Sequence, residues 1–109
     1  MADVYKVLGQ SAPAATTLTD AYTVPGATSA IGSSITVCNR SATPTSFRIS
    51  VAIAGAADAT KQYIAFDVPI AANESKSFTI GPTLGAADVV RVYATLATVT
   101  FQIFGVERS

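Results

Sequence analysis

Histidine is absent from this chain, and with it go the commonest general base and the commonest metal ligand. Neither a serine triad nor a cysteine–histidine pair can be assembled. Tryptophan is absent too, and cysteine occurs once, so the tryptophan and paired cysteines of an immunoglobulin domain are missing. Cys38 has no partner for an internal disulfide. Arg40 is the only cation near it in sequence, and it reads as a small apolar side chain near a strand end.

Charge is scarce. Seven bases and seven acids are spread over 109 residues, giving no net charge. Lys6, Arg40, Arg48, Lys61, Lys76, Arg91 and Arg108 form no basic stripe, which argues against nucleic acid as a partner. No two of Asp3, Asp20, Asp58, Asp67, Glu74, Asp88 and Glu107 lie within six residues of each other, so no calcium loop is expected. A glycosidase pair drawn from them would lack both an evident cleft and a tryptophan for sugar stacking. The glycines follow no phosphate-loop pattern and read as turns and strand ends. The expectation is a protein that is not an enzyme and carries no cofactor and no metal. No apolar run approaches the roughly 20 residues that cross a bilayer, and the opening Met1–Lys6 lacks the pattern of a signal peptide, so no membrane partner is expected.

What the chain has is a rhythm of two. Phe47, Ile49, Val51 and Ile53 alternate with Arg48, Ser50 and Ala52, the pattern of a half-buried strand. Ile49 and Val51 are predicted inside, Arg48 and Ser50 outside. Seven further runs read as strands: Val4–Leu8, Thr16–Val24, Ile31–Cys38, Gln62–Val68, Ser75–Ile80, Asp88–Thr95 and Val99–Gly105. Within them Val4, Lys6 and Leu8 oppose Tyr5 and Val7. Ile31, Ile35 and Val37 share a face, as do Phe78 and Ile80. Turn signals separate the runs, among them Pro25–Gly26, Pro44, and the loop from Gly81 to Gly85. No segment keeps helical spacing over two turns. The reading is all-β: one β-sandwich domain over residues 1–109, jelly-roll-like or another Greek key, with about eight strands.

Half of the residues are apolar and only 13% are charged, whereas a free domain's surface is typically roughly a quarter or more charged. Such a chain is expected to bury part of its surface by self-association. The candidate interface residues are Val4, Tyr5, Val7, Leu8, Tyr22, Tyr63 and Phe104. The first four lie on a short strand that is nearly apolar on both faces and could pair with a neighbour's edge. The tyrosines and Phe104 are aromatic side chains of the kind interfaces favour, and Phe104 alternates with Phe101 and Ile103. Tyr93 and Phe66 belong to the same set of aromatics.

Several segments together resemble small β-sandwich virion structural proteins of tailed bacteriophages. They are Tyr5–Gln10, Leu18–Pro25, Ser34–Arg40, Phe47–Ile49 and Phe101–Glu107. The resemblance implies a scaffold and assigns no functional residue. It implies a capsid decoration or cement protein on the outside of the virion, or a component of the tail, neck or baseplate. Its partners would then be capsid or tail subunits and further copies of itself. A homo-oligomer is implied, a trimer where a lattice offers threefold positions, made in the host cytoplasm and resident in the virion. The rival reading is a receptor- or carbohydrate-binding module at the tail tip.

Overall fold

A computed structural model describes residues 2–109. Its strands are β1 (Asp3–Ser11), β2 (Thr19–Thr23), β3 (Ser29–Asn39), β4 (Thr45–Ala52), β5 (Tyr63–Ile70), β6 (Ser75–Phe78), β7 (Thr83–Leu84), β8 (Val89–Ala94) and β9 (Val99–Arg108). Among the described residues the only helical pieces are single 3₁₀ turns at Ile53–Gly55 and Thr60–Gln62. The all-β expectation holds.

Pairing is antiparallel throughout. β1 pairs with β9, β2 with β8, β3 with β6, and β4 with β5, so the chain is one long hairpin of strand pairs. β9 also pairs with β3, and β8 with β4, which rolls that hairpin into two facing sheets, β1-β9-β3-β6 and β2-β8-β4-β5. This is jelly-roll connectivity. β6 and β7 both pair with β3 and are two halves of one strand. Between them Gly81 takes φ +60°, and the Gly32 N–H donates to the Pro82 carbonyl at 2.9 Å. A Cβ on Gly32 would lie 2.8 Å from Pro82 Cγ, so only glycine admits the proline there. Counted by topology there are the expected eight strands, one of them broken.

The core lies between the sheets. Phe47 meets Phe78 and Phe101 edge-on at centroid distances of 5.9 and 6.0 Å, and Ile35, Ile49, Ile103 and Val92 close around them. Asn39 is buried with its amide satisfied. Its Nδ2 donates to the carbonyls of Thr43 and Ala71, and its Oδ1 accepts from the Ser41 N–H and the Thr98 hydroxyl.

A bulge overturns the side-chain direction read for Ile31, and packing at the sandwich's end changes the burial expected of others. In β3 one extra residue, Ser33, sits opposite the junction of Phe104 and Gly105. Parity flips there, so Ala30 and Gly32 face in before it and Ile35 and Val37 after it, leaving Ile31 outside and 56% exposed. β1 carries a matching bulge in which Leu8 is the extra residue opposite Phe104 and Ile103. At the far end of β4, Ser50 and Ala52 are buried although they lie on the outer face. The segment from Ile53 to Gln62 folds back over them. It is tied down by Arg91, which donates to the carbonyls of Ala56 at 2.8 Å and Gly55 at 3.2 Å, and by Asp88, which accepts from the Ala54 N–H. Val51 keeps its inward direction but is only half-buried at the sandwich's end, while Ile53 and Ile80 are exposed.

Candidate interaction surface

The acidic side chains are all committed to the scaffold. Asp3, Asp20 and Asp67 bind Arg108, Arg91 and Arg48, and Glu107 binds Lys6. Asp58 accepts from the Tyr63 hydroxyl, Glu74 from the Ala71 N–H, and Asp88 from the N–H groups of Ala54 and Gly85. Among the described residues no three histidine, cysteine or acidic side chains gather as metal ligands would. Two shallow cavities of about 310 and 250 Å³ exist. The first runs along Gln10, Ser11, Thr100 and Gln102; the second lies between Val51, Ile53 and Lys61, and neither collects reactive groups. The broad surfaces that remain are the two outer sheet faces.

On the β1-β9-β3 face, register sets Tyr5, Val106 and Ile31 in one row and Val7, Phe104 and Ser34 in the next. Tyr5 is 80% exposed and Val7 45%, and Phe104 and Val106 are half-buried between them. These side chains form a contiguous apolar patch. One end of it is closed by the Asp3–Arg108 ion pair at 2.7 Å, and the other gives way to the polar pair Gln10–Gln102.

The β8-β4-β5 face also carries aromatics, but they are engaged. A bulge in β5 sets two residues, Phe66 and Asp67, against Arg48, and Asp67 takes φ +51° to allow it. Asp67 therefore receives Arg48 through two bonds, at 2.7 and 3.3 Å. The Phe66 ring lies 4.1 Å from the guanidinium carbon. Tyr93, directly opposite Arg48 on β8, covers the cation from its side at 4.4 Å. Tyr63 stands edge-on to Phe66 with centroids 5.0 Å apart and donates to Asp58. A planar cation between two rings with a bidentate carboxylate satisfies all of these groups at once.

The candidate residues thus divide. Tyr5, Val7 and Phe104 come together on the first face. Val4 is half-exposed on the same strand but turned the other way, opposite Glu107 in register. Tyr63 belongs to the Arg48 cluster. Leu8 and Tyr22, expected at an interface, are instead core residues, each 8% exposed: Leu8 lies on the inward side of β1 with Val4 and Lys6, as alternation places it, and Tyr22 inserts its ring into the core. The Tyr22 hydroxyl donates to Glu107 at 2.5 Å while Lys6 binds the other carboxylate oxygen at 2.9 Å. Burial first, and then the adjacent carboxylate, raise the Tyr22 hydroxyl's pKa well above its ordinary value. Lys6 first, and then Tyr22, hold the Glu107 carboxyl below its own.

Ile31 and Val106 belong to the patch but not to the interface candidates, and Ile31, expected on one face with Ile35 and Val37, is turned out by the bulge. The Gly32-Ser33-Ser34 run was the available sign of a bulge beside Ile31. Among known proteins, no family model, no curated protein and no solved structure matches this chain.

Proposed function

We propose that this is a non-enzymatic structural protein of a tailed-bacteriophage virion, bound in many copies to the outside of the capsid as a decoration or cement subunit. The observation that carries the reading is the apolar patch of Tyr5, Val7, Ile31, Phe104 and Val106 on a rigid sheet. Among the described residues no side chain covers Tyr5, and the acids that could do chemistry are all occupied. The resemblance of the strand segments supplies the virion context, and the jelly roll, a fold shared by capsid and lectin domains, is compatible with it by analogy. Each subunit would bury the patch against capsid subunits, and repeated weak contacts over a lattice would add through avidity.

Deletion of the gene tests this. Particles should still assemble but should lose their genome at lower temperature and lower salt than complete ones, and added purified protein should restore them. Deleted particles that withstand heat as complete ones do would contradict it. Labelled antibody in the electron microscope separates capsid from tail, neck or baseplate. The carbohydrate-binding alternative draws on the outward Tyr63 and Phe66, and a glycan array would show a selective sugar if it held.

A further inference from the structure

We infer that two copies of the chain join edge to edge through β1, antiparallel about a two-fold axis at Tyr5. The phase of the β1–β9 ladder decides which backbone groups are free. Ala2 and Ser109 exchange both of their bonds, at 3.3 and 3.2 Å. Alternation from there makes Val4–Glu107 and Lys6–Gly105 bonded pairs, and places Asp3, Tyr5 and Val7 in the intervening positions. The N–H and C=O of Asp3, Tyr5 and Val7 therefore point away from β9, and among the described residues no strand pairs on that side. The open stretch ends at Gly9, where β2 closes in: a Cβ there would lie 2.3 Å from the Ala21 carbonyl oxygen.

The other edges carry the devices that discourage such pairing. β5 is bulged twice, holds Asp67 at φ +51°, and includes Pro69. β2 is five residues long and bulged between Asp20 and Tyr22. The β6–β7 edge is broken at Gly81–Pro82. Asp3–Val7 alone is straight, proline-free and unpaired.

A partner with the same free groups in the same phase is a second copy of this stretch. Centred on Tyr5, the pairing sets Tyr5 against Tyr5, Asp3 against Val7, and Val4 against Lys6. Every outward N–H then meets a carbonyl, and no like charges face each other. Lys6 is already neutralised by Glu107 at 2.9 Å, so its alkyl stem can lie along the half-exposed Val4 of the other copy. Sliding the register to centre on Lys6 would oppose two ammonium groups and run into the blocked Gly9. With every other edge obstructed, β1 has no different edge to meet head-to-tail, so the closure is two-fold and not the three-fold that the family resemblance implies. The joined sheets make one apolar face from two patches. The pairing stands apart from the virion reading.

Light scattering on the purified full chain at high micromolar concentration should give twice the chain mass of 11.1 kDa. Tyr5→Pro removes an N–H that the single chain does not use and should give the chain mass itself, with an unchanged circular dichroism spectrum. Because that variant could disturb β1, Tyr5→Cys in a Cys38→Ser background supplies a second readout. Directly opposed Cα atoms lie about 5.5 Å apart in a bonded pair, within disulfide reach, so mild oxidation should cross-link it, whereas Asp3→Cys in the same background should not. A monomer at that concentration, a trimer, a dimer indifferent to Tyr5→Pro, or equal cross-linking at positions 3 and 5 would each overturn the inference. A monomer that still protects particles would leave the virion reading standing; a dimer absent from particles would do the reverse.

Discussion

The two outer faces of this sandwich carry similar side chains and put them to opposite uses. On the β8-β4-β5 face, Arg48, Phe66, Tyr93 and Asp67 answer one another within a single cluster. On the β1-β9-β3 face, Tyr5, Val7 and Ile31 are exposed with no such answer. An aromatic count treats the faces alike; what separates them is whether a strand irregularity brings a cation and a carboxylate to the rings. In β5 a bulge does so. In β3 a bulge does the reverse and turns Ile31 out to water. The lesson is that exposed aromatics mark a docking surface only where the chain itself leaves them unsatisfied.

The largest expected effect is one that both faces share. Phe101 is fully buried between the sheets, and Phe101→Ala should cost about 3–5 kcal/mol in a denaturant melt. A smaller loss would mean that the sheets are less tightly joined than described. Next comes the engaged face. Arg48→Ala removes two cation–π contacts worth about 0.5–1 kcal/mol each at exposed sites, so a loss of roughly 1–2 kcal/mol is expected, and Arg48→Lys, which cannot fork onto Asp67, should recover only part of it. On the open face, Tyr5→Ser should leave the isolated chain's stability within about 0.5 kcal/mol of the parent while reducing assembly. If Tyr5→Ser destabilised the chain more than Arg48→Ala, the contrast between the faces would be lost.

The sequence made the strands legible and their irregularities much less so. Alternation in Phe47–Ile49 and in Val99–Ile103 carried through to buried positions, because there each neighbouring strand keeps step. It failed at Ile31, where one extra residue inverts the faces, and a period of two contains no information about an insertion. Ser50 was read as outward, and it is, but the Ile53–Gln62 segment that buries it is placed by Arg91, far away in the chain. The Arg48 cluster draws on residues 48, 66, 67 and 93, which only the register brings together. The patch was half legible: Tyr5, Val7 and Phe104 were named, Val106 continues the outward alternation of Phe104, and Ile31 needed the bulge.

The smallest effect concerns the polar group behind β1. Glu107 titrates below its ordinary 4.5 in the folded chain, so the unfolded chain takes up the proton first on acidification. The stabilisation from Glu107 is complete above pH 4.5 and is lost as pH falls through the folded value. Tyr22 has the opposite sign: its hydroxyl is held protonated by the fold, so its contribution is complete below pH 10.0 and is lost as pH rises further. Glu107→Gln should flatten the acid limb of a melting-temperature profile and shrink the alkaline one. An unchanged profile would detach Glu107 from the stability of this end of the sheet.

Amide hydrogen exchange, compared between dilute and concentrated protein, tests the contrast most directly. In dilute solution the Tyr5 and Val7 amides face solvent and should exchange fast, while their neighbours Val4 and Lys6 are held by β9. On concentration, Tyr5 and Val7 should become protected together, and the exposed residues of β5 should not change. Protection that appears instead along β5, or β1 amides that stay fast at every concentration, would contradict the account.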